Sequence, residues 1–88
     1  MVVRSDDGIF YNLQHFASVS IELLQDTPAD TYRLRAIYPA PYDSYWENLA
    51  YFSNLEDAQK VLSELGQAWL DGQPGFSIPL RDGLLGLQ

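Results

Sequence analysis

Between Ala17 and Tyr38 the chain alternates apolar and polar residues in two successive runs. Ala17, Val19, Ile21 and Leu23 fall on one face of an extended backbone, and Ser18, Ser20 and Glu22 fall on the other. This period of two marks a strand with one buried side. Gln25-Asp26-Thr27-Pro28-Ala29-Asp30 has the polar, proline-bearing chemistry of a turn. Beyond it Tyr32, Leu34, Ala36 and Tyr38 share a face opposite Thr31, Arg33, Arg35 and Ile37. The two runs predict an antiparallel hairpin. Its outer face brings Glu22 near Arg33 or Arg35, and an exposed pair of that kind contributes ~0.2–1 kcal/mol, enough to favour a register but not to hold a fold.

Upstream, Asp6-Asp7-Gly8 is a turn signal, and Met1 to Arg4 reads either as a short strand or as a frayed arm. Ile9-Phe10-Tyr11 predicts a strand ending near Leu13. Two conformations suit Asn12 to Phe16: a single helical turn capped by Asn12, with Leu13, Phe16 and Ala17 inward, or a bend at a bulge. We expect the bend. Downstream, Pro39 and Pro41 remove two ladder donors, so Pro39 to Ser44 is a connection rather than a strand. Strand character resumes from Tyr45 to Phe52 with mixed faces: Trp46, Asn48, Ala50 and Phe52 on one, Tyr45, Glu47, Leu49 and Tyr51 on the other. The expectation is that Trp46, Ala50 and Phe52 face the core; the alternative is a strand covered on both sides.

The period then changes. Leu55, Ala58, Val61, Leu62, Leu65, Ala68 and Trp69 recur every three or four residues and form one stripe of a helix. Ser53-Asn54-Leu55-Glu56 has the form of a capping box, with Ser53 as the cap, and Glu56 and Asp57 place negative charge at the positive end of the helix dipole. Gly72 and Pro74 end the helix. Gly66 lies inside it at a cost of about 1 kcal/mol relative to alanine, which either a close backbone approach or simple tolerance explains. Phe76-Ser77-Ile78-Pro79-Leu80 again alternates, and Pro79 restricts it to an edge strand or an extended surface segment that covers the domain's own edge. Leu84, Leu85 and Leu87 are open between self-covering and docking onto another chain.

Short loops favour antiparallel neighbours. The expected fold is therefore α+β and two-layered: a three- to four-stranded antiparallel meander with one long C-terminal helix packed on one face. Residues 1–80 form this single domain, and 81–88 are expected to fray. A chain of 88 residues has room for one such domain and buries only roughly 60–65% of the surface its unfolded form exposes. At 47% hydrophobic it has the side chains to fill a core.

Composition removes more functions than it suggests. With no cysteine, disulfide scaffolds, thiolate chemistry and Cys-ligated metals are excluded. Twelve acidic residues against five basic ones give a net charge of −7, which opposes binding to phosphate backbones or anionic lipid. The N-terminus lacks the basic-then-apolar order of a leader, and no apolar run approaches the roughly 18–20 residues needed to cross a bilayer. The expected setting is the cytoplasm.

No catalytic constellation emerges. His15 is the one histidine; a nucleophilic relay through it needs Ser18 or Ser20, both read as facing solvent, and no Gly-x-Ser-x-Gly elbow exists. One histidine does not build a zinc site, the carboxylates lack calcium-loop spacing, and no glycine-rich phosphate cradle is present. No cofactor or metal is expected. The distinctive stretch is Tyr38-Pro39-Ala40-Pro41-Tyr42-Asp43-Ser44-Tyr45-Trp46, rich in the aromatic residues that supply contact area with little rotamer entropy to lose. The same rings also suit a hairpin connection that folds back over the core edge. Arg33 and Arg35 add a basic spot on an acidic molecule, or a solvated face with cross-strand pairs.

The order of Asn12-Leu13 near a first strand, a hairpin, and Phe52-Ser53-Asn54-Leu55-Glu56-Asp57-Ala58 opening one helix resembles short prokaryotic single-domain proteins over roughly the first 70 residues. The resemblance implies no activity, cofactor or catalytic residue. The expected function is a small non-enzymatic protein–protein interaction or accessory module, monomeric or homodimeric, contacting a protein partner through Tyr42, Tyr45, Trp46, Arg33 and Arg35. The alternative is a small-ligand binder or minor enzyme with a pocket between helix and sheet.

Overall fold

The structure, a computed structural model, describes residues 1–25 and 31–81. Val2–Arg4 (β1) is a strand rather than a frayed arm, and it turns through Asp6-Asp7-Gly8 into Phe10–Asn12 (β2). Gly8 takes a positive φ of 87°, which glycine adopts without steric cost. Ser5 closes this turn: its N–H donates to the Ile9 carbonyl at 2.8 Å, and its buried hydroxyl accepts from Ile9 N at 3.0 Å and donates to Asp7. The bend expected after β2 is instead a single 3-10 turn over Leu13–His15, capped by the Asn12 side chain accepting from Gln14 N at 3.0 Å. The cap satisfies an orphan amide while burying Leu13 completely, and a bend offers neither gain.

Ser18–Leu24 (β3), Thr31–Ile37 (β4) and Trp46–Phe52 (β5) form the antiparallel meander, in the order β3-β4-β5. Leu34 and Ala36 of β4 lie wholly buried on its inner face. On β3, Val19 and Ile21 pack against the same core, while Leu23 near the strand's end is exposed. The turn expected between Gln25 and Asp30 lies largely outside the described residues.

Leu55–Leu70 (α1) is the helix. Its cap is Asn54 rather than Ser53: Asn54 Oδ1 accepts from Asp57 N at 2.8 Å, and Asn54 Nδ2 donates back to Asp57 at 3.0 Å. Asn serves as well as Ser in this role, and the shift by one residue places Asp57, not Glu56, as the reciprocal partner. At the other end Gly72, at φ 72°, donates to the Trp69 carbonyl, and Gln73 N reaches the Ala68 carbonyl at 2.9 Å, a Schellman closure. Ala58, Val61 and Leu65 are the buried centre of the apolar stripe; Trp69, expected within it, is 52% exposed because it is the next-to-last residue of the helix, where the stripe runs off the core.

The principal departure from the expected single sheet is a second one. Gly75–Ser77 (β6) pairs in parallel with β1, and β1 pairs antiparallel with β2, giving the order β2-β1-β6. The pairing continues past β6: Ile78 N donates to the Arg4 carbonyl and Arg81 N to the Asp6 carbonyl, both at 3.0 Å. Val3, Tyr11 and Phe76 face inward from this small sheet, and Val3 and Ile78 join Leu13, Leu34, Leu49, Ala50, Val61 and Leu65 in one core. The domain is thus α+β, with the helix and the small sheet both contributing to a core on one face of the meander. The extended Phe76–Leu80 segment covers the domain's own edge, with Ile78 buried and Pro79 exposed. The tail from Asp82 onward lies outside the described residues.

Nothing lies within 4 Å of a Cβ built on Gly66, so no close backbone approach explains this glycine. Gly66→Ala is expected to stabilise the fold by up to about 1 kcal/mol, read as a higher urea midpoint with unchanged slope; a lower midpoint would show that the position needs glycine.

Candidate functional site

A slip in β5 builds the candidate site. Leu34 pairs with Ala50 but Arg35 pairs with Asn48, so Leu49 is an extra residue at a bulge. On the C-terminal side of the slip Ala50 and Phe52 face the core as expected. On the N-terminal side the faces exchange: Trp46 stands opposite Ile37 and Asn48 opposite Arg35, on the outer face. The expectation that Trp46 faces inward is therefore corrected; it is 39% exposed. Strict alternation carries no sign of an inserted residue, which is why the faces of this strand look mixed in the sequence.

Asp6 holds the bulge in place. Its N–H donates to the carbonyl of Leu49 at 2.8 Å, and its Oδ2 accepts from Tyr51 N at 3.0 Å. Its Oδ1 lies 3.6 Å from Arg81 Nε. One buried residue thereby satisfies edge groups of β5 at the slip and just beyond it and links the meander to the C-terminal segment. Burial pushes the Asp6 carboxyl above its ordinary range; the Tyr51 amide and Arg81 oppose the rise, and Asp7 adds to it. The sequence presents Asp6 only as a turn residue, and nothing in its spacing signals burial.

On the outer face, Glu22 bridges both arginines. Arg33 Nη2 lies 2.6 Å from Glu22 Oε1, and Arg35 Nη1 lies 2.5 Å from Glu22 Oε2. The register sets Glu22 directly opposite Arg33 and Ser20 opposite Arg35. Both guanidinium groups lie by the Trp46 ring, Arg33 at 5.2 Å and Arg35 at 4.9 Å from its centroid, within cation–π range. Arg33 Nε, Arg35 Nε and Asn48 Oδ1 are buried without a hydrogen-bond partner. The group thus carries one net positive charge and a planar aromatic surface. Tyr51, opposite Arg33, extends the face.

Tyr42 and Tyr45 belong to a separate feature. The connection from β4 to β5 is closed by Tyr38 N donating to the Tyr45 carbonyl, Tyr42 N to Pro39 and Tyr45 N to Tyr42, and it contains a cis Ala40–Pro41 bond. Tyr38, Tyr42 and Tyr45 line a depression of about 330 Å³. Behind it, Tyr38 packs at a tilt on Phe16 with centroids 4.6 Å apart and donates its hydroxyl to Glu47 at 3.1 Å, and Tyr11 meets Phe16 edge-on. Burial and the Glu47 carboxylate hold both phenols above the ordinary value. Glu47 is a residue that sequence reasoning leaves aside, since only the slip turns it toward the core side, opposite Ala36. So the structure brings Arg33, Arg35 and Trp46 together in one group and Tyr42 and Tyr45 in another.

His15 ends the 3-10 turn in solvent, and Ser18 is exposed across from Ile37. Among the described residues no group of three or more His, Asp or Glu side chains is arranged to hold a metal, and no helix is long and apolar enough to cross a membrane. A second cleft of about 360 Å³ lies along β5 between Tyr51, Asp57 and Arg81, with Asp6 in its wall, but the Asp6 oxygens are already engaged as described. Comparison with protein-family models, with curated proteins and with solved structures found no match to this chain.

Two expectations follow from this geometry. Because Asp6 holds its proton more tightly when folded, its contribution to stability is full below the ordinary carboxylate value of 3.8 and is lost as pH rises through the raised folded value. The stability difference between the parent and Asp6→Asn, followed by urea unfolding across pH 3 to 8, should therefore shift against the parent over that window and be flat above it; a constant difference would refute the assignment. Trp46→Ala should cost no more than about 2 kcal/mol in the same assay, against about 3–5 kcal/mol for an aromatic removed from a core.

Proposed function

We propose that the protein is a small non-enzymatic interaction module, an accessory or regulatory subunit, that contacts a protein partner through the outer face of β3-β4-β5 at Trp46, Arg33 and Arg35, with Tyr42 and Tyr45 contributing from the adjoining loop. The observation that carries this reading is the Glu22–Arg33–Arg35–Trp46 group. It presents aromatic and guanidinium surface, the residue types enriched in binding hot spots, on a sheet face that no described element covers. The ion pairs and ring contacts fix these side chains before any partner arrives, which lowers the entropy lost on binding.

The charge of −7 disfavours nucleic acid and anionic membrane as partners, and the module is read as a cytoplasmic monomer or homodimer. A ligand pocket between helix and meander has weaker support, because Val61 and Leu65 meet Leu34, Ala36 and Ala50 in the space it needs.

Affinity capture from the native source with the parent and with Trp46→Ala and Arg35→Ala variants, each shown folded by circular dichroism, tests the reading. Specific partners recovered with the parent should fall at least about tenfold with either variant. Unchanged recovery would remove this face as the contact surface. Sedimentation over a range of concentrations identifies the case in which the partner is a second copy.

A further inference from the structure

The depression formed by Tyr38, Tyr42 and Tyr45 has a composition and setting that select a ligand chemistry. Among the described residues its lining comes from three tyrosines, and its wall is apolar. An aromatic wall attracts cations through the negative faces of its rings. The chain already shows this preference at Trp46, where two of its own guanidinium groups occupy the ring. Among the described residues no cation of the chain takes the equivalent place at the three tyrosines. Tyr42 and Tyr45 are 63% and 64% exposed, so their rings are available from solution. The surrounding charge is favourable as well: Asp43 lies in the same loop, Tyr38 donates its hydroxyl to Glu47, and the whole chain carries −7.

The kind of cation follows from what the wall lacks. A lysine ammonium has three N–H donors and is strongly hydrated, so an apolar wall strips its water without replacing the hydrogen bonds. A trimethylated ammonium has no N–H donor, spreads its charge over methyl groups and presents apolar surface to the rings. The depression is also open rather than enclosed, so a small free cation would remain partly hydrated. A cation carried on a peptide gains further contact from the adjoining loop. We propose that Tyr38, Tyr42 and Tyr45 form an aromatic cage for a trimethylated lysine side chain of a protein partner. This proposal rests on the reading of this end of the meander as a contact surface, and it names the group recognised there.

Calorimetric titration of the intact chain with four probes tests it: a short basic peptide carrying one trimethyl-lysine, the same peptide unmodified, the same peptide with the neutral tert-butyl isostere of trimethyl-lysine, and choline. The trimethylated peptide should bind about two- to fivefold more tightly than each of the other three, the contrast expected of a cation–π contact at an exposed site. Tyr42→Ala and Tyr45→Ala should abolish that preference, whereas Tyr42→Phe and Tyr45→Phe, which keep the rings, should retain it; circular dichroism establishes that each variant is folded. Equal binding of the methylated and unmodified peptides, or of the neutral isostere, would overturn the cation-cage assignment. Choline binding as tightly as the peptide would overturn the assignment to a protein partner. Absence of binding by the trimethylated peptide at millimolar concentration would overturn the proposal while leaving the capture result at Trp46 and Arg35 to stand or fall separately.

Discussion

One inserted residue in one strand, held by one buried carboxylate residue, organises both faces of the meander. Leu49 breaks the alternation of β5, and Asp6 bonds its carbonyl and the neighbouring Tyr51 amide. Without the slip, Trp46 would share a face with Ala50 and Phe52 and be driven into the core. With it, Trp46 stands over Arg33 and Arg35, Glu47 turns toward the Tyr38 hydroxyl, and both Leu49 and Ala50 are buried. An unpaired residue in an edge strand carries a cost in lost ladder bonds, and Asp6 offsets it by supplying a donor and an acceptor from the β1–β2 turn.

The same residue explains how so short a chain closes its core. A meander with one helix leaves part of its apolar face open, and a domain of this size has little other surface to bury. The parallel pairing of β1 with the segment from Gly75 to Arg81 brings the two ends of the chain together over that gap and contributes Val3 and Ile78 to the interior. Asp6 sits where this closure meets the meander, bonded to Leu49 and Tyr51 on one side and to Arg81 on the other. Its raised proton affinity is the electrostatic consequence of occupying that buried junction.

The two exposed aromatic features are held in different ways. At Trp46 the chain supplies its own cations, and Glu22 neutralises one of the two charges, so the group is rigid and nearly self-contained apart from its buried unpartnered atoms. At Tyr38, Tyr42 and Tyr45 only Tyr38 is anchored, through Phe16 and Glu47, and the other two rings stand in solvent. Both lie at the β4–β5 end of the meander, on chain-adjacent residues. Phe10, 68% exposed beside Val2 and Ile9, is a further apolar feature, on the small sheet.

Sequence alone determined the elements whose signal is local: the alternation of β3 and β4 and its outer Glu22–arginine pairing, the helix with its buried Ala58, Val61 and Leu65, the glycine that ends it, and the self-covering Phe76–Leu80 segment. These follow from periodicity and turn chemistry, which depend on neighbours within a few residues. The cap moved by one residue and Trp69 lay outside the core, because element ends are decided by competing local bonds and by how far the packed surface extends. Only the tertiary structure decided the second sheet, the burial of Asp6 and the exchange of faces at Trp46. Each depends on residues far apart in the chain: β1 meets β6 across more than 70 positions, and Asp6 meets Tyr51 across 45. A bulge leaves no period of its own, so the face that carries the candidate site is visible only once the partner strand fixes the register.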